Sequence, residues 1–366
     1  MSPIITATDG PPYPIEDWKA ASVARRREID NAIPEAHRLP RGALADRAAQ
    51  RHLKPHDPEL LQSGILNDMD REITDVLDAP ELVSRIIRGR YTAVQVTEAF
   101  CKRAALAHQC TGCLTAFFYQ PAMERARQLD DHLSRTGKPV GILHGLPVSV
   151  KDTFNVAGQP TTAGLASWLP YVPDANSTVA DSILTAGGIL YAKTATSQAC
   201  LMVESITNVF GTVCNPHNLQ LSAGGSSGGE AALLASNGTI LAAGSDGGGS
   251  IRFPAAFCGV WGLKCSKGRI PSAGCDVPRS GSESVNAGHG PMARTVASLE
   301  LWMRAQLAST PWDVDSSCVP MSWNLADAQR TENPLRIGVL WDDGVVKPTP
   351  PITVRKKEGE WHLVET

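Results

Sequence analysis

The strongest constraint on the fold of this chain is an alternation of short apolar runs with helical segments in the part that begins near residue 146. Such alternation is typical of an α/β domain in which a mixed β-sheet is covered by helices on both faces. The predicted strands are Leu146–Val150, Ile189–Ala192, Thr239–Ala243, Val260–Leu263 and Leu335–Trp341. The predicted helices between them are Thr178–Ala186 and Glu230–Ala235. We therefore predict an α/β fold, and the 42% of apolar residues can fill a substantial core.

The residues before this alternation have a helical pattern. One charged helix is predicted over Ile15–Ile33 and a second helix over Asp78–Arg88. Thr92 and Gln95 form a T-x-x-Q capping box, which predicts a third helix that ends before Cys110.

Composition limits the classes of function. A formal net charge of −3 without a basic block argues against a nucleic-acid partner. Neither a secretory signal nor a run of 18 apolar residues is visible, so we expect a cytoplasmic protein without a membrane span. The nine cysteines are odd in number and scattered, which argues against a disulfide framework. The pair Cys110 and Cys113 has no second ligand pair at zinc-binding spacing, so we predict neither a metal nor a cofactor.

The segment Gly224–Arg252 carries the clearest chemical signal, because it contains two serines, Ser226 and Ser250, that are flanked by glycines. Ser250 directly follows three glycines, and successive backbone N–H groups in such a turn can form an oxyanion hole. These three residues are Gly247, Gly248 and Gly249. Asp246, just before them, can accept hydrogen bonds within the turn and hold it rigid. A phosphate-binding P-loop is excluded, since no lysine occurs between Lys193 and Lys264.

A serine nucleophile needs a base, and Lys151 is the best candidate. It ends an apolar strand, where burial disfavours the charged form of its amine. A neutral lysine can accept a proton, as a general base must. None of the nine histidines lies in the G-x-S-x-G context of a serine hydrolase elbow.

Three motifs in this order resemble the amidase signature family of serine hydrolases. They are LPVSVKD at 146–152, GGSSGG at 224–229 and GSIR at 249–252. The connecting runs FGTVCNPHN at 210–218 and FCGVWGLK at 257–264 are also similar. The N-terminal helix and the segment WDDGVV at 341–346 most resemble the fungal acetamidase and general amidase branch.

The resemblance implies a role for each matching residue. Ser250 would attack the amide carbonyl, Ser226 would relay the proton, and Lys151 would be the base of a Ser-Ser-Lys triad. It also implies a cis peptide bond before Ser226 and an oxyanion hole made by the backbone N–H groups of 247–250. The residues implied to support this site are Ser227, Asp246 and Arg252.

The resemblance predicts the amidase-signature fold over residues 76–366, preceded by an N-terminal helical arm over residues 1–75. The predicted function is hydrolysis of a small carboxamide through an acyl-enzyme, and a homodimer is left open. The likeness fades after about Pro351, so the C-terminal part of the family fold is expected to be missing. Two alternatives follow: an inactive remnant or binding protein of this fold, and a glutamine-amidase subunit that feeds ammonia to a partner.

Overall fold

A six-stranded mixed β-sheet is the central element of the computed structural model, which describes residues 17–40, 63–278, 284–285, 287–324 and 344–347. The chain divides into two units, Met1–Trp323 and Asn324–Thr366, and every helix and strand given below belongs to the first. The predicted boundary between an arm and a domain at residue 75 stays a prediction.

Five of the nine α-helices in the described part of the chain correspond to helices predicted from the sequence. The α-helices of the described residues are α1 Trp18–Ala32, α2 Asp68–Thr74, α3 Ala79–Ile87, α4 Ala93–Thr111, α5 Tyr119–Thr136, α6 Thr178–Thr185, α7 Gly228–Ala235, α8 Arg252–Cys258 and α9 Val296–Ala308. The capping box of Thr92 and Gln95 is present at the start of α4. The predicted end of α4 before Cys110 is wrong, because the helix continues until Gly112 terminates it with a φ of 70°. No helix in the described part of the chain is long and apolar enough to cross a membrane.

Three parallel strands lie at the centre of the sheet and antiparallel strands flank them. The strands are β1 Leu114–Phe117, β2 Pro147–Lys151, β3 Ile189–Thr194, β4 Ile206–Thr207, β5 Gly211–Thr212, β6 Cys214–Asn215, β7 Asn218–Ser222, β8 Leu241–Asp246, β9 Trp261–Gly262 and β10 Gly288–Ala293. The order in the main sheet is β1-β3-β2-β8-β10-β9, with β2 parallel to both β3 and β8. Two small hairpins, β4–β5 and β6–β7, lie outside it.

Successive residues of the central strands face two separate cores, as the period of two in a β-strand requires. Leu190 belongs to one core, with side chains from α3, α6 and α9. Its neighbours Ile189 and Tyr191 belong to the other, with side chains from α1, α5, α7 and α8. Helix α4 contributes to both cores. The predicted α/β fold with helices on both faces of a mixed sheet is therefore confirmed.

Four of the five predicted strands are present, with shifted ends. The run predicted as Thr239–Ala243 begins at Leu241 and extends to Asp246, because its last three residues are polar or glycine and broke the apolar pattern. The pattern also missed β1, α5, β10 and α9. The strand predicted at Leu335–Trp341 lies outside the described residues.

Candidate active site

Lys151 is the last residue of β2, between the parallel neighbours β3 and β8. Its side chain is completely buried, with an exposure of 0%. Its Nζ atom lies within hydrogen-bond distance of two hydroxyl groups, 2.6 Å from Ser226 Oγ and 2.9 Å from Ser245 Oγ. An amine removed from water requires such partners, since an unpaired buried polar group is costly. The structure thus brings two of the predicted site residues, Lys151 and Ser226, into direct contact across 75 positions of sequence.

Ser226 follows the hairpin strand β7 in a tight glycine segment and is also fully buried. The Gly225–Ser226 peptide bond is cis, as the family resemblance implied. A Cβ atom on Gly225 would lie 2.8 Å from the carbonyl carbon of Glu204, so only glycine fits there. The Ser226 carbonyl accepts a hydrogen bond from Ser205 Oγ at 3.2 Å, which holds this segment against the neighbouring loop.

A second tight turn follows β8 and carries Ser250, and Asp246 organises it. The Asp246 carboxylate accepts hydrogen bonds from the backbone N–H groups of Gly249, Ile251 and Arg252 at 2.7, 3.1 and 3.2 Å. It also accepts two from the Arg252 guanidinium, at 2.9 and 3.0 Å. Burial pushes the pKa of Asp246 upward, but the hydrogen bonds from Arg252 and the backbone outweigh it and lower the pKa to about 2. Asp246 is therefore ionised at neutral pH and closes the turn.

The three glycines before Ser250 differ in their surroundings. The Gly249 N–H donates to Asp246 Oδ1 at 2.7 Å, and its role as an oxyanion donor stays a prediction. The N–H groups of Gly247 and Gly248 have no acceptor among the described residues. Gly249 instead has a conformational role: its φ is 121°, and a Cβ atom there would overlap the ring of Phe253. Two N–H donors without an acceptor in the described part of the chain thus lie beside Ser250, which is itself half-buried.

Ser227 connects the two serine turns. Its N–H donates to the Ser250 carbonyl at 3.0 Å, and its Oγ donates to the Ser245 carbonyl at 3.3 Å. The cis segment with Ser226 and the turn with Ser250 are therefore held side by side. All the predicted site residues lie in one region, where β2 and β8 end. The carboxyl ends of parallel strands are where open α/β sheets bind ligands.

Four residues around Lys151 were not among the predicted site residues. Ser245 contacts Lys151 directly, and His289 lies opposite Ser245 on β10. Burial lowers the pKa of His289 to about 4. Cys275 Sγ lies 3.9 Å from His289 Nδ1, and burial raises the pKa of this thiol to about 12.

Glu230 of α7 is the fourth of these residues. Burial raises its pKa to about 8, and Ser149 Oγ donates to its Oε2 at 2.5 Å. A polar residue at the end of a strand is a weak sequence signal that could have found Ser245. The other three are distant from Lys151 in sequence.

Lys193 is a second buried lysine, on β3 next to Lys151. Its Nζ donates to the Pro160 carbonyl at 2.7 Å and to Thr161 Oγ1 at 2.6 Å. Burial lowers its pKa to about 8. It contacts a loop rather than either serine turn. Among the described residues, no group of three histidine, cysteine or acidic side chains could hold a metal ion.

Comparison with known proteins connects this geometry to a family. The chain matches the family model described as Amidase over residues 95–363. It is 37% identical to the acetamidase of Aspergillus oryzae over 349 residues, which cover 93% of this chain and 62% of that protein. The acetamidase of Emericella nidulans is 37% identical over 342 residues, or 92% of this chain and 61% of that protein.

A solved structure gives the same result for the fold. Fatty acid amide hydrolase superposes with a TM-score of 0.84 and 33% identity, over 94% of this chain and 60% of that one. The chain thus spans about 60% of the length of the relatives it matches.

Proposed function

We propose that this chain, which belongs to the amidase family, hydrolyses a small carboxamide to a carboxylic acid and ammonia or an amine. The observation that carries the proposal is the 2.6 Å contact between the buried amine of Lys151 and the buried hydroxyl of Ser226. This pair is tied through Ser227 to the turn that holds Ser250. The family membership favours amide hydrolysis over other acyl-transfer reactions, and the acetamidase relatives favour a small acyl group.

In the proposed acylation, Ser250 Oγ bonds to the amide carbonyl carbon. Its proton passes to Ser226 Oγ, while the Ser226 proton passes to the amine of Lys151. The tetrahedral intermediate then expels the leaving group of the substrate, ammonia or an amine, which takes a proton from Ser226. Lys151 returns a proton to Ser226. This step requires a base within hydrogen-bond distance of the group that gives up the proton. Lys151 meets this requirement for the Ser226 hydroxyl.

The negative charge that develops on the carbonyl oxygen needs donors that are already in place. The N–H groups of Gly247 and Gly248 fit this role, since neither has an acceptor among the described residues. The Ser250 N–H adjoins them. Asp246 and Arg252 fix this turn, so the donors need little rearrangement when the charge develops.

Deacylation repeats these steps with water as the nucleophile. Water adds to the acyl carbon and gives a proton through Ser226 to Lys151. The acid then leaves as Ser250 Oγ recovers a proton by the same route. No step requires a metal or a cofactor. A cytoplasmic location is part of the proposal, supported by the lack of a disulfide among the described cysteines. The homodimer stays a prediction.

Labelling with a fluorophosphonate probe, together with ammonia release from acetamide, tests this function. The 366-residue chain should be labelled and should release ammonia, and Ser250→Ala should abolish both while its melting temperature stays close to that of the wild type. Ser236→Ala is the matched control, because Ser236 is a buried serine at the end of α7 whose hydroxyl donates to the Ala232 carbonyl of the same helix. A folded wild-type chain that is not labelled would instead favour an inactive remnant of the fold.

A further inference from the structure

Lys151 has a second hydroxyl partner that the proposed proton relay does not use. Its Nζ lies 2.9 Å from Ser245 Oγ, only slightly farther than the 2.6 Å to Ser226 Oγ. Ser245 is 5% exposed and Ser226 is 0% exposed, so both contacts are protected from competing water. The amine therefore lies between two serine hydroxyls from different elements.

The direction of the amine's lone pair decides whether it can accept a proton. A neutral primary amine has two N–H donors and one lone pair, and it rotates freely about its last carbon–nitrogen bond unless a partner fixes it. If one N–H donates to Ser245 Oγ, fewer rotations remain and the lone pair can be held toward the Ser226 hydroxyl. We propose that Ser245 is a positioning residue that orients the Lys151 amine toward Ser226, an inference that rests on the proposed function.

Ser245 is itself held firmly enough to act in this way. It lies on β8, which pairs with β2 on one side and β10 on the other. Its carbonyl accepts the hydrogen bond from Ser227 Oγ at 3.3 Å, so it is also joined to the residue after the relay serine. A shift of Ser245 would therefore disturb Lys151 of β2, His289 of β10 and Ser227.

The other titratable groups around Lys151 offer no competing anionic acceptor at neutral pH. Burial keeps Glu230 protonated, with a pKa of about 8, and burial keeps His289 neutral, with a pKa of about 4. Burial also keeps Cys275 a neutral thiol, with a pKa of about 12. The carboxylate of Asp152, next to Lys151 in sequence, accepts hydrogen bonds from Thr115 and Thr162. The two serine hydroxyls therefore remain the partners of the amine.

The test compares Ser245→Ala with Ser245→Thr in the full chain, with Ser236→Ala as the control for losing a buried hydroxyl. The maximal rate of fluorophosphonate labelling and the probe concentration that gives half of it are measured between about pH 6 and 9, with the melting temperature of each variant. Ser245→Ala should lower the maximal rate about tenfold to a hundredfold, the range expected when one hydrogen bond to a charged or reacting group is lost. The half-maximal concentration should not change. Ser245→Thr should recover most of the rate, because threonine keeps the hydroxyl.

Each other outcome overturns a defined statement. Equal rates for wild type and Ser245→Ala overturn the positioning role and leave the proposed function intact. A threonine variant as slow as the alanine variant, although equally stable, also overturns it. A folded wild-type chain that the probe does not label overturns the proposed function, and the positioning role with it.

Discussion

Two lysines, Lys151 and Lys193, lie on adjacent parallel strands, and they differ more in their partners than in their burial. Both have an exposure of 0%, and Lys193 lies directly opposite the residue before Lys151 in the pairing of β2 with β3. Lys151 contacts two serine hydroxyls, whereas Lys193 contacts the carbonyl of Pro160 and the hydroxyl of Thr161.

Under the proposed function, this difference means that burial alone does not identify the catalytic base. Burial lowers the pKa of Lys193 to about 8, so its amine is readily deprotonated, yet it contacts a loop and neither of the two serine turns. Its contacts join β3 to that loop and give it a structural role. The distinction between the two lysines is therefore the chemistry of the groups within hydrogen-bond distance.

The largest effect that separates the two lysines should be on activity. Lys151→Met should lower the labelling rate roughly 10²- to 10⁴-fold at neutral pH, the usual contribution of a general base. Lys193→Met should lower it less than about tenfold, since neither serine turn loses a partner. The loss in Lys151→Met should shrink at high pH, where hydroxide partly replaces the base. Similar losses of labelling rate in the two variants would contradict the different roles assigned to the two lysines.

A smaller effect should come from removing the hydroxyl partner of each lysine. Ser226→Ala should slow labelling about a hundredfold, because the proton then has no relay to Lys151. Thr161→Val, which removes a hydroxyl partner of Lys193 at nearly constant volume, should change the rate by no more than a few-fold. Both rates are compared with melting temperatures measured on the same samples. Unchanged kinetics in Ser226→Ala would contradict the relay.

The smallest effect concerns stability and involves Lys193 alone. Its pKa is lowered to about 8 in the folded chain, so above that pH the unfolded chain holds a proton that the folded chain has released. The stability of the wild type therefore gains from Lys193 as pH rises through about 8 toward 10. Methionine does not titrate, so the melting temperature of Lys193→Met should fall further below that of the wild type over this window. A constant difference across pH would contradict the lowered pKa.

The sequence predicted those parts of the site that lie within contiguous motifs. The strand that ends at Lys151, the two glycine-serine turns and the carboxylate of Asp246 are each readable from neighbouring residues. The contact of Lys151 with Ser245 spans 94 positions and joins two strands whose order in the sheet no local pattern specifies. The same reason explains why His289 and Glu230 were missed, since neither belongs to a pattern that differs from an ordinary strand or helix.

The fold was predicted where apolar runs are short and bounded by turns. Strands β2 and β3 and helix α6 agree with the pattern within two residues. Helix α5 was missed because it is rich in charged residues and only a narrow stripe of it is buried. Strand β10 was missed because it contains two glycines and a proline, which normally mark turns.

The surroundings of Gly249 restrict which amino acids this position can accept. Two independent conditions exclude a side chain there: a backbone φ of 121°, and the ring of Phe253 in the space that a Cβ atom would occupy. Shortening Phe253 would satisfy only the second condition and leave the first in force. Gly249 therefore tolerates neither a single substitution nor a double substitution that also changes Phe253. Sequence variation in this turn has to arise at Gly247 or Gly248, where a Cβ atom would meet little or nothing.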